Sequence, residues 1–198
     1  MLQGYVWVTN CNGCLWNAHH DWEGPISALR LFKVKGYICL AAACTVEQVL
    51  LFTDINSVNR LSYVSVLPES TLYDSVTCLA IMDIDCDGEP EILVGTYGRM
   101  FLVYKLTISE DGRLVSHIEY RRDYSSPIFH ICYSDMTGDG LQEVLLLSFN
   151  GIHVLQRCLK SAQLYIQKLL NELQLSSVKC PFADEHEISV IEPLPPDV

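Results

Sequence analysis

Four acidic residues follow one another at short, regular spacing in the middle of the chain. Asp83, Asp85 and Asp87 occupy alternate positions, and Glu91 comes shortly after them. Gly88 permits the positive φ that turns such a loop back on itself, so the carboxylates can converge on one point. Hard oxygen ligands of this kind are what Ca²⁺ prefers. The pattern therefore predicts a Ca²⁺ site made by these four acidic side chains.

This loop does not follow the EF-hand pattern. An EF-hand needs a bidentate Glu at loop position 12, and counting from Asp83 that position is Val94, inside an apolar run. We therefore predict a shorter loop that joins two strands. The alternative interpretation is a structural turn, in which the Asp side chains accept hydrogen bonds from their own backbone amides.

A second copy of the loop contains Asp135, Thr137, Asp139, Gly140 and Glu143. Thr137 offers one neutral ligand where the first loop has a carboxylate. Since Ca²⁺ affinity follows the number of charged ligands, we expect weaker Ca²⁺ binding here than in the first loop.

Other patterns with chemical potential are less specific. Cys11 and Cys14, with His19 and His20 nearby, could hold zinc, but the Asn-Gly pair between the cysteines is a strong hairpin signal. The chain shows no nucleophile elbow and no glycine-rich phosphate loop. The acidic cluster could serve as catalytic carboxylates, but propeller loops of this kind lie on outer turns. We predict a protein that is not an enzyme and has no certain cofactor besides the Ca²⁺ option.

The two acidic loops belong to longer repeats. Val76–Lys105 and Ile128–Arg157 align without gaps at an offset of 52 residues. Each segment reads as strand, acidic turn, strand, tight turn and strand, and Leu114–Tyr120 can supply a further strand. A decayed third copy runs from Pro25 to Phe52 and lacks the acidic loop. A period near 50 residues with about four short strands per unit is typical of propeller blades.

The predicted fold is mainly β: a partial β-propeller of about three four-stranded blades plus a hairpin, with a C-terminal α-helix. Its predicted parts are a propeller at 1–158 (hairpin 4–22, blades near 25–72, 74–122 and 124–158), an amphipathic helix at 159–176 and an acidic, proline-containing tail at 177–198. Closure of a propeller usually takes at least about four blades. We therefore expect a truncated form or the C-terminal part of a longer propeller, with missing blades in the rest of that chain or in another one.

The helix is predicted from apolar residues spaced by three and four, namely Leu159, Ala162, Ile166, Leu169, Leu170 and Leu173. Packing of its apolar face on the propeller rim is the favoured interpretation. A helix that faces a partner is the alternative.

Charge and cysteine content narrow the function classes. The formal net charge is −11 and the basic residues are scattered, which argues against nucleic-acid binding and against an anionic membrane surface. Nine cysteines, mostly inside apolar runs, favour a reducing, cytoplasmic setting. Met1–Gly4 does not resemble a signal peptide, and the apolar run Tyr37–Val46 is too short to span a bilayer. We expect protein partners or cations and no direct membrane insertion.

The loops and their flanking strands resemble the FG-GAP repeat of integrin α-subunit propellers. A string of segments is more specifically similar to the C-terminal half of an FG-GAP propeller subunit of the KICSTOR complex. These segments are GPIS at Gly24–Ser27, DSVTCLAIMDIDCDGEPEILVGTYG at Asp74–Gly98, YSSPIFHICYSDMTGDGLQEV at Tyr124–Val144 and GIHVLQ at Gly151–Gln156.

The resemblance implies a non-enzymatic scaffold subunit. It implies KICSTOR subunits as partners, and through them the GATOR complex, at the cytoplasmic side of the lysosome, where the assembly restrains the target-of-rapamycin kinase on amino-acid deprivation. It also implies an alternative role as an adaptor of filamentous actin, at actin-rich cell edges. A Ca²⁺-binding FG-GAP interaction module is the other alternative.

Overall fold

The computed structural model describes the backbone of residues 3–9, 15–45, 48–55, 61, 63–156 and six positions between 163 and 173, with side chains from Gly24 onward. Thirteen strands lie in these ranges. In chain order they are β1 Gln3–Thr9, β2 Leu15–Glu23, β3 Ile26–Val34, β4 Tyr37–Cys44, β5 Gln48–Phe52, β6 Val64–Val66, β7 Val76–Met82, β8 Glu91–Thr96, β9 Met100–Ile108, β10 Leu114–Asp123, β11 Ile128–Ser134, β12 Glu143–Ser148 and β13 Gly151–Leu155.

All the sheets are antiparallel, and within each sheet the strands pair in the order in which they occur in the chain. Strands β1 and β2 form a hairpin. Blade 1 contains β3 to β6, blade 2 contains β7 to β10, and blade 3 contains β11 to β13. Blade 3 thus has three strands within the described residues, where four were predicted.

The inner strands of the three blades lie side by side, since β7 contacts both β3 and β11. Apolar side chains fill the space between consecutive blades. Leu51 of blade 1 and Ile92 of blade 2 belong to one buried cluster, while Leu93 of blade 2 and Leu146 of blade 3 belong to the next. Because side chains alternate along a strand, the neighbouring residues Ile92 and Leu93 serve opposite faces of blade 2. This arrangement explains why the central strands read as continuous apolar runs.

Each inner strand has a β-bulge near its start, and in β3 and β7 the bulge residue contacts the next blade. In β3 the bulge residue is Ser27, whose Oγ lies 3.2 Å from the Ala43 carbonyl oxygen of its own blade and 3.1 Å from that of Val76 in blade 2. Thr77 repeats this contact in β7, with its Oγ1 against the carbonyl oxygens of Gly95 and Ile128. We call these two contacts the hydroxyl bridges. Each satisfies backbone acceptors at a place where the ladder is interrupted.

The bulge of β11 has no such hydroxyl, because its residue is Phe129. The Phe129 ring packs edge-to-face on Phe149, with ring centroids 4.6 Å apart, and Phe149 is 73% exposed. Blade 3 therefore presents an aromatic pair at the position from which blades 1 and 2 bond to their successors.

Gly95 lies where blade 3 comes closest to blade 2. A Cβ at this position would lie 2.6 Å from Cys78 Sγ and 2.8 Å from Ile128 Cγ2, and both distances are shorter than van der Waals contact. Gly95 pairs with Cys78 across the sheet, and the corresponding pair in blade 3 is Leu147 with His130. Glycine at this point lets Ile128 pack against the backbone of blade 2.

Several predictions fall wholly or partly outside the described residues. Positions 163, 166, 167, 170, 171 and 173 are helical and exposed, and the remainder of the predicted helix lies outside the description. The same holds for the tail at 177–198, for the hairpin tip at 11–14 and for the side chains of His19 and His20.

Candidate functional site

The first acidic loop connects β7 to β8 and is organised by its own carboxylates. Asp83 accepts hydrogen bonds from the backbone amides of Cys86 at 2.6 Å and Gly88 at 2.9 Å. Asp85 and Asp87 each accept one from the amide two residues ahead, at 3.1 and 2.8 Å. Cys86 and Gly88 both have positive φ, at 63° and 89°. The predicted capping of backbone amides is therefore present, and it fixes the direction of every Asp side chain.

The carboxylates converge as the sequence predicted. Oxygens of Asp83, Asp85 and Glu91 lie within 4.8 Å of one another. Glu91 begins β8, is 1% exposed, and accepts a 2.9 Å hydrogen bond from the amide of Ile84. Three carboxylates this close repel one another unless a cation lies among them.

The side chain of Lys105, on β9, supplies that cation. Its ammonium donates to Oδ2 of Asp85, lies 2.7 Å from Oδ2 of Asp87, and lies 3.4 Å from Oε1 of Glu91. The Lys105 side chain is 20% exposed, so its ammonium is partly shielded from water. We call Lys105 with Asp83, Asp85, Asp87 and Glu91 the lysine–carboxylate cluster. A lysine thus occupies the position at which a metal ion was expected.

The pKa values in the cluster follow from burial and charge. Burial of Glu91, with the added repulsion of Asp85 and Asp87, raises its pKa from 4.5 to about 7, although Ile84 and Lys105 oppose the shift. Burial disfavours the charged form of Lys105, but its hydrogen bonds to Asp85 and Asp87 outweigh that effect and raise its pKa. For Asp87, burial is likewise outweighed by the bond to Lys105, and its pKa falls.

The donor set does not fit Ca²⁺ in this arrangement. Ca²⁺ takes six to eight oxygen ligands, typically at about 2.3–2.6 Å, whereas here Asp83 is bonded to backbone amides and Asp85 and Asp87 face an ammonium. An ion would have to displace Lys105 from the cluster. A Ca²⁺ titration tests the site that the sequence predicted at Asp83, Asp85, Asp87 and Glu91, because binding would require the ion to displace the ammonium.

The second loop, between β11 and β12, folds in the same way. Asp135 accepts from the amides of Gly138 at 2.6 Å and Gly140 at 2.9 Å, and Asp139 accepts from Leu141 at 2.8 Å. Glu143 is buried and accepts from the amide of Met136 at 2.7 Å. The two loops therefore share one backbone design.

The loops differ in how the buried glutamate is satisfied. Thr137 stands at the position of Asp85, and its hydroxyl donates to Oε1 of Glu143 at 3.1 Å. In the first loop the corresponding oxygen of Glu91 faces Lys105. One neutral hydroxyl thus does in the second loop what a lysine does in the first.

In the ungapped alignment of the two repeats, Arg157 is equivalent to Lys105. The strand pairing identifies a different residue as the equivalent one. Leu93 pairs with Val103 in blade 2, whereas the equivalent Leu145 pairs with Val154 in blade 3. The cause is the turn, which has three residues between Thr96 and Met100 but two between Ser148 and Gly151. The ungapped offset of 52 therefore becomes 51 after the turn, and Gln156, an exposed neutral residue, takes the place of Lys105.

Sequence reasoning missed Lys105 as a member of the site. The available signal was its place on β9, the strand that pairs with the strand after the acidic loop, one residue beyond the Ile92–Tyr104 pair. A single basic residue in that position can reach back to the carboxylates, because side chains on adjacent strands lie about 5 Å apart. The described cysteines differ in burial: burial raises the pKa of both Cys39 and Cys78 to about 11, while Cys132 is exposed.

Comparison with known proteins identifies the family. The sequence profile of the family described as "KICSTOR complex protein kaptin" matches residues 33–167, which include the acidic loops, Lys105 and most of the three blades. The chain belongs to the kaptin family. The mouse (Mus musculus) KICSTOR complex protein kaptin is 32% identical over 173 residues. That alignment covers 80% of this chain and 39% of the mouse protein, so the chain spans well under half of its kaptin relative.

A solved structure supports the architecture. The crystal structure of BBS1N in complex with ARL6DN, soaked with mercury, superposes with a TM-score of 0.51 at 17% identity and covers 76% of this chain and 39% of the BBS1N chain. At that identity the likeness concerns the fold alone, and it confirms the partial β-propeller predicted from the repeats. Within the described residues, no helix has the length and apolar character needed to cross a membrane.

Proposed function

We propose that this chain acts as a non-enzymatic scaffold subunit of a KICSTOR-type assembly. The observation that carries the proposal is the kaptin-family match over residues 33–167, the region in which the three blades stack on one another. The mouse relative is named as a protein of the KICSTOR complex, and 32% identity over 173 residues favours a shared mode of assembly.

The contacts within the lysine–carboxylate cluster support a structural role for this cluster. The carboxylates of Asp83, Asp85 and Asp87 are directed by backbone amides and Lys105, and Glu91 is buried. A general acid or base must instead reach a substrate atom within hydrogen-bond distance. We infer that the chain acts by binding partners through the surfaces of its blades, and that this loop catalyses no reaction.

The finer role follows from the proposed membership. KICSTOR subunits bind the chain directly, the GATOR complex associates through them, and the assembly acts at the lysosome to restrain the target-of-rapamycin kinase when amino acids are scarce. Binding of filamentous actin stays a prediction that rests on the family resemblance. A co-sedimentation assay at physiological salt tests it, with saturable pelleting as the expected result of that alternative.

Affinity purification tests the proposed function. Cells expressing the tagged chain should yield the KICSTOR subunits by mass spectrometry, in amounts that fall in a Gly95→Asp variant whose blade 2–blade 3 contact is disrupted. Lys33→Met, a change at an exposed residue, serves as the matched control and should leave recovery unchanged. Recovery of no KICSTOR subunit with the parent chain would overturn the proposal for this chain.

A further inference from the structure

The third strand of blade 3 differs from its counterparts in what lies beside it. In blade 1 the third strand, β5, pairs with β6, and in blade 2 the third strand, β9, pairs with β10. Strand β13 pairs with β12 on one side, and among the described residues no strand lies along its other side. The repeat therefore defines the position and direction of a strand that the described part of blade 3 lacks.

The outer edge of β13 has exposed apolar side chains and lacks the residues that usually protect a sheet edge from pairing with another strand. Its Ile152 side chain is 66% exposed and that of Val154 is 48% exposed. Strand β13 reads Gly-Ile-His-Val-Leu and contains no lysine, glutamate or proline. Edges of natural sheets usually carry such residues, because an unprotected row of amides and carbonyls invites another strand to pair.

The surface beside this edge extends the apolar strip. Leu147 pairs with Ile152 and is 44% exposed, and Leu145 pairs with Val154. Alternate apolar side chains of an added strand would lie against this strip while its backbone bonds to β13, which is the ordinary mode of recognition by strand addition.

Charge indicates the chemistry of the added strand. In blade 2, Lys105 neutralises the acidic loop and pairs across the sheet with His117 of β10. The equivalent of Lys105 in blade 3 is Gln156, which follows the Val144–Leu155 pair and so stands at the register position of Glu143, the residue that ends the second loop. Because β10 runs antiparallel to β9, the N-terminal end of a strand added to β13 would lie at this acidic end. A basic residue there would offset the charge of the loop.

We propose that β13 binds an extended segment of a partner protein, antiparallel to β13, with apolar side chains at alternate positions and a basic residue near its N-terminal end. Charge disfavours two alternative occupants of this edge, namely the chain's own C-terminal tail and a second copy of the chain. The chain's own tail after residue 177 is acidic, and a second copy brings a further net charge of −11. The proposal is independent of KICSTOR membership, since it concerns one sheet edge of the isolated chain.

A synthetic peptide tests the proposal with the full chain. The probe is a fluorescein-labelled peptide of alternating valine and threonine with lysine at its N-terminal end, and binding is followed by fluorescence anisotropy. We expect saturable binding, at least tenfold weaker when lysine is moved to the C-terminal end and abolished when alternate amides are N-methylated. Hydrogen exchange should slow at those amides of 151–155 that do not bond to β12.

Two matched variants locate the site. Val154→Lys puts a charge on the β13 edge and should weaken peptide binding at least tenfold. Val115→Lys, on the outermost strand of blade 2, changes a residue that is also 48% exposed and should alter binding less than twofold. Gln156→Lys supplies the cation within the chain, and should remove the preference for a lysine-ended peptide over a glutamate-ended one.

Four results would overturn the proposal. They are an absence of saturable binding, equal binding of the N-methylated peptide, equal effects of Val154→Lys and Val115→Lys, and protection of the outward amides of β13 before peptide is added. If that last protection depends on protein concentration, the edge binds a second copy. If it does not, the edge is covered by the chain's own tail.

Discussion

The Lys105 ammonium lies 3.4 Å from Oε1 of Glu91, a buried oxygen that accepts no hydrogen bond from the described residues. Proximity of charge is therefore what stabilises this atom. A buried carboxylate oxygen without any partner would cost several kcal/mol, and the lysine offsets that cost without a direct bond. The lysine thus joins the third strand of blade 2 to the loop between its first two strands.

Replacement of Lys105 should destabilise the fold. Lys105→Met leaves Asp85, Asp87 and Glu91 without a cation, and we expect the free energy of unfolding to fall by about 1–3 kcal/mol, less than for a fully buried pair because both Asp side chains are 38% exposed. Urea denaturation followed by circular dichroism measures the change. Lys33→Met, at an exposed site, is the control. Equal effects of the two substitutions would contradict a neutralising role for Lys105.

Glu91 should make stability depend on pH. Its pKa is raised from 4.5 to about 7 in the folded state, so the folded chain binds the proton more tightly than the unfolded chain does. The contribution of this group to stability is therefore full below pH 4.5 and decreases as the pH rises to about 7. Glu91→Gln removes that dependence, so its free energy of unfolding relative to the parent should rise between pH 5 and pH 7.

The control for this experiment is Glu110→Gln, which changes an exposed carboxylate. Its stability difference from the parent should stay constant over the same pH range. A parallel pH course for the parent and the Glu91 variant would show that Glu91 does not titrate in this window.

Calcium binding should depend on Lys105. We expect the parent chain to give no saturable heat in isothermal titration at millimolar Ca²⁺, because the ammonium occupies the centre of the cluster. Lys105→Gln vacates that centre and should bind Ca²⁺ at least tenfold more tightly, a difference of about 1.4 kcal/mol. Adding Asp85→Ala to that variant should abolish the gain. Binding by the parent with the affinity of Lys105→Gln would show that Ca²⁺ displaces the lysine readily.

Gly95 should tolerate no side chain at the contact between blades 2 and 3. Gly95→Ala places a methyl group 2.6 Å from Cys78 Sγ, and we expect a loss of about 1–3 kcal/mol in the free energy of unfolding. Cys78→Ala removes one of the two clashing groups, so the double variant should be more stable than the sum of the single effects predicts. Strict additivity in this double-mutant cycle would argue against the proposed overlap.

The sequence predicted those features that depend on local chemistry or on repetition. The strands around both loops, the convergence of Asp83, Asp85 and Glu91, and the capping of loop amides by Asp all follow from alternation and turn chemistry. The resemblance to a propeller subunit of the KICSTOR complex was also confirmed, by the match to the kaptin family. Each of these features is determined by a short stretch of sequence or is seen again in the equivalent stretch of the next blade.

Features that depend on pairing between distant residues were not predicted. Lys105 reaches the loop only because β9 lies beside β8. The residue of blade 3 that is equivalent to Lys105 is Gln156 and not Arg157, because the turn before β13 is one residue shorter than the turn before β9. A one-residue change in register redirects every later side chain in a strand, and an ungapped alignment cannot reveal it. The three-stranded form that blade 3 has within the described residues was likewise not predicted, because the repeat pattern predicts four strands in every blade.

The hydroxyl bridges have a consequence for the order in which the chain folds. Ser27 and Thr77 each bond forward, to the first residue of the inner strand that follows. During synthesis, blade 1 therefore cannot complete its bonding until Val76 has left the ribosome, and blade 2 must wait for Ile128. Blades 1 and 2 therefore complete their bonding in chain order, each only after the first residue of the next inner strand is present. Phe129 makes no such forward bond, so within the described residues the order of completion set by the hydroxyl bridges runs from blade 1 to blade 3.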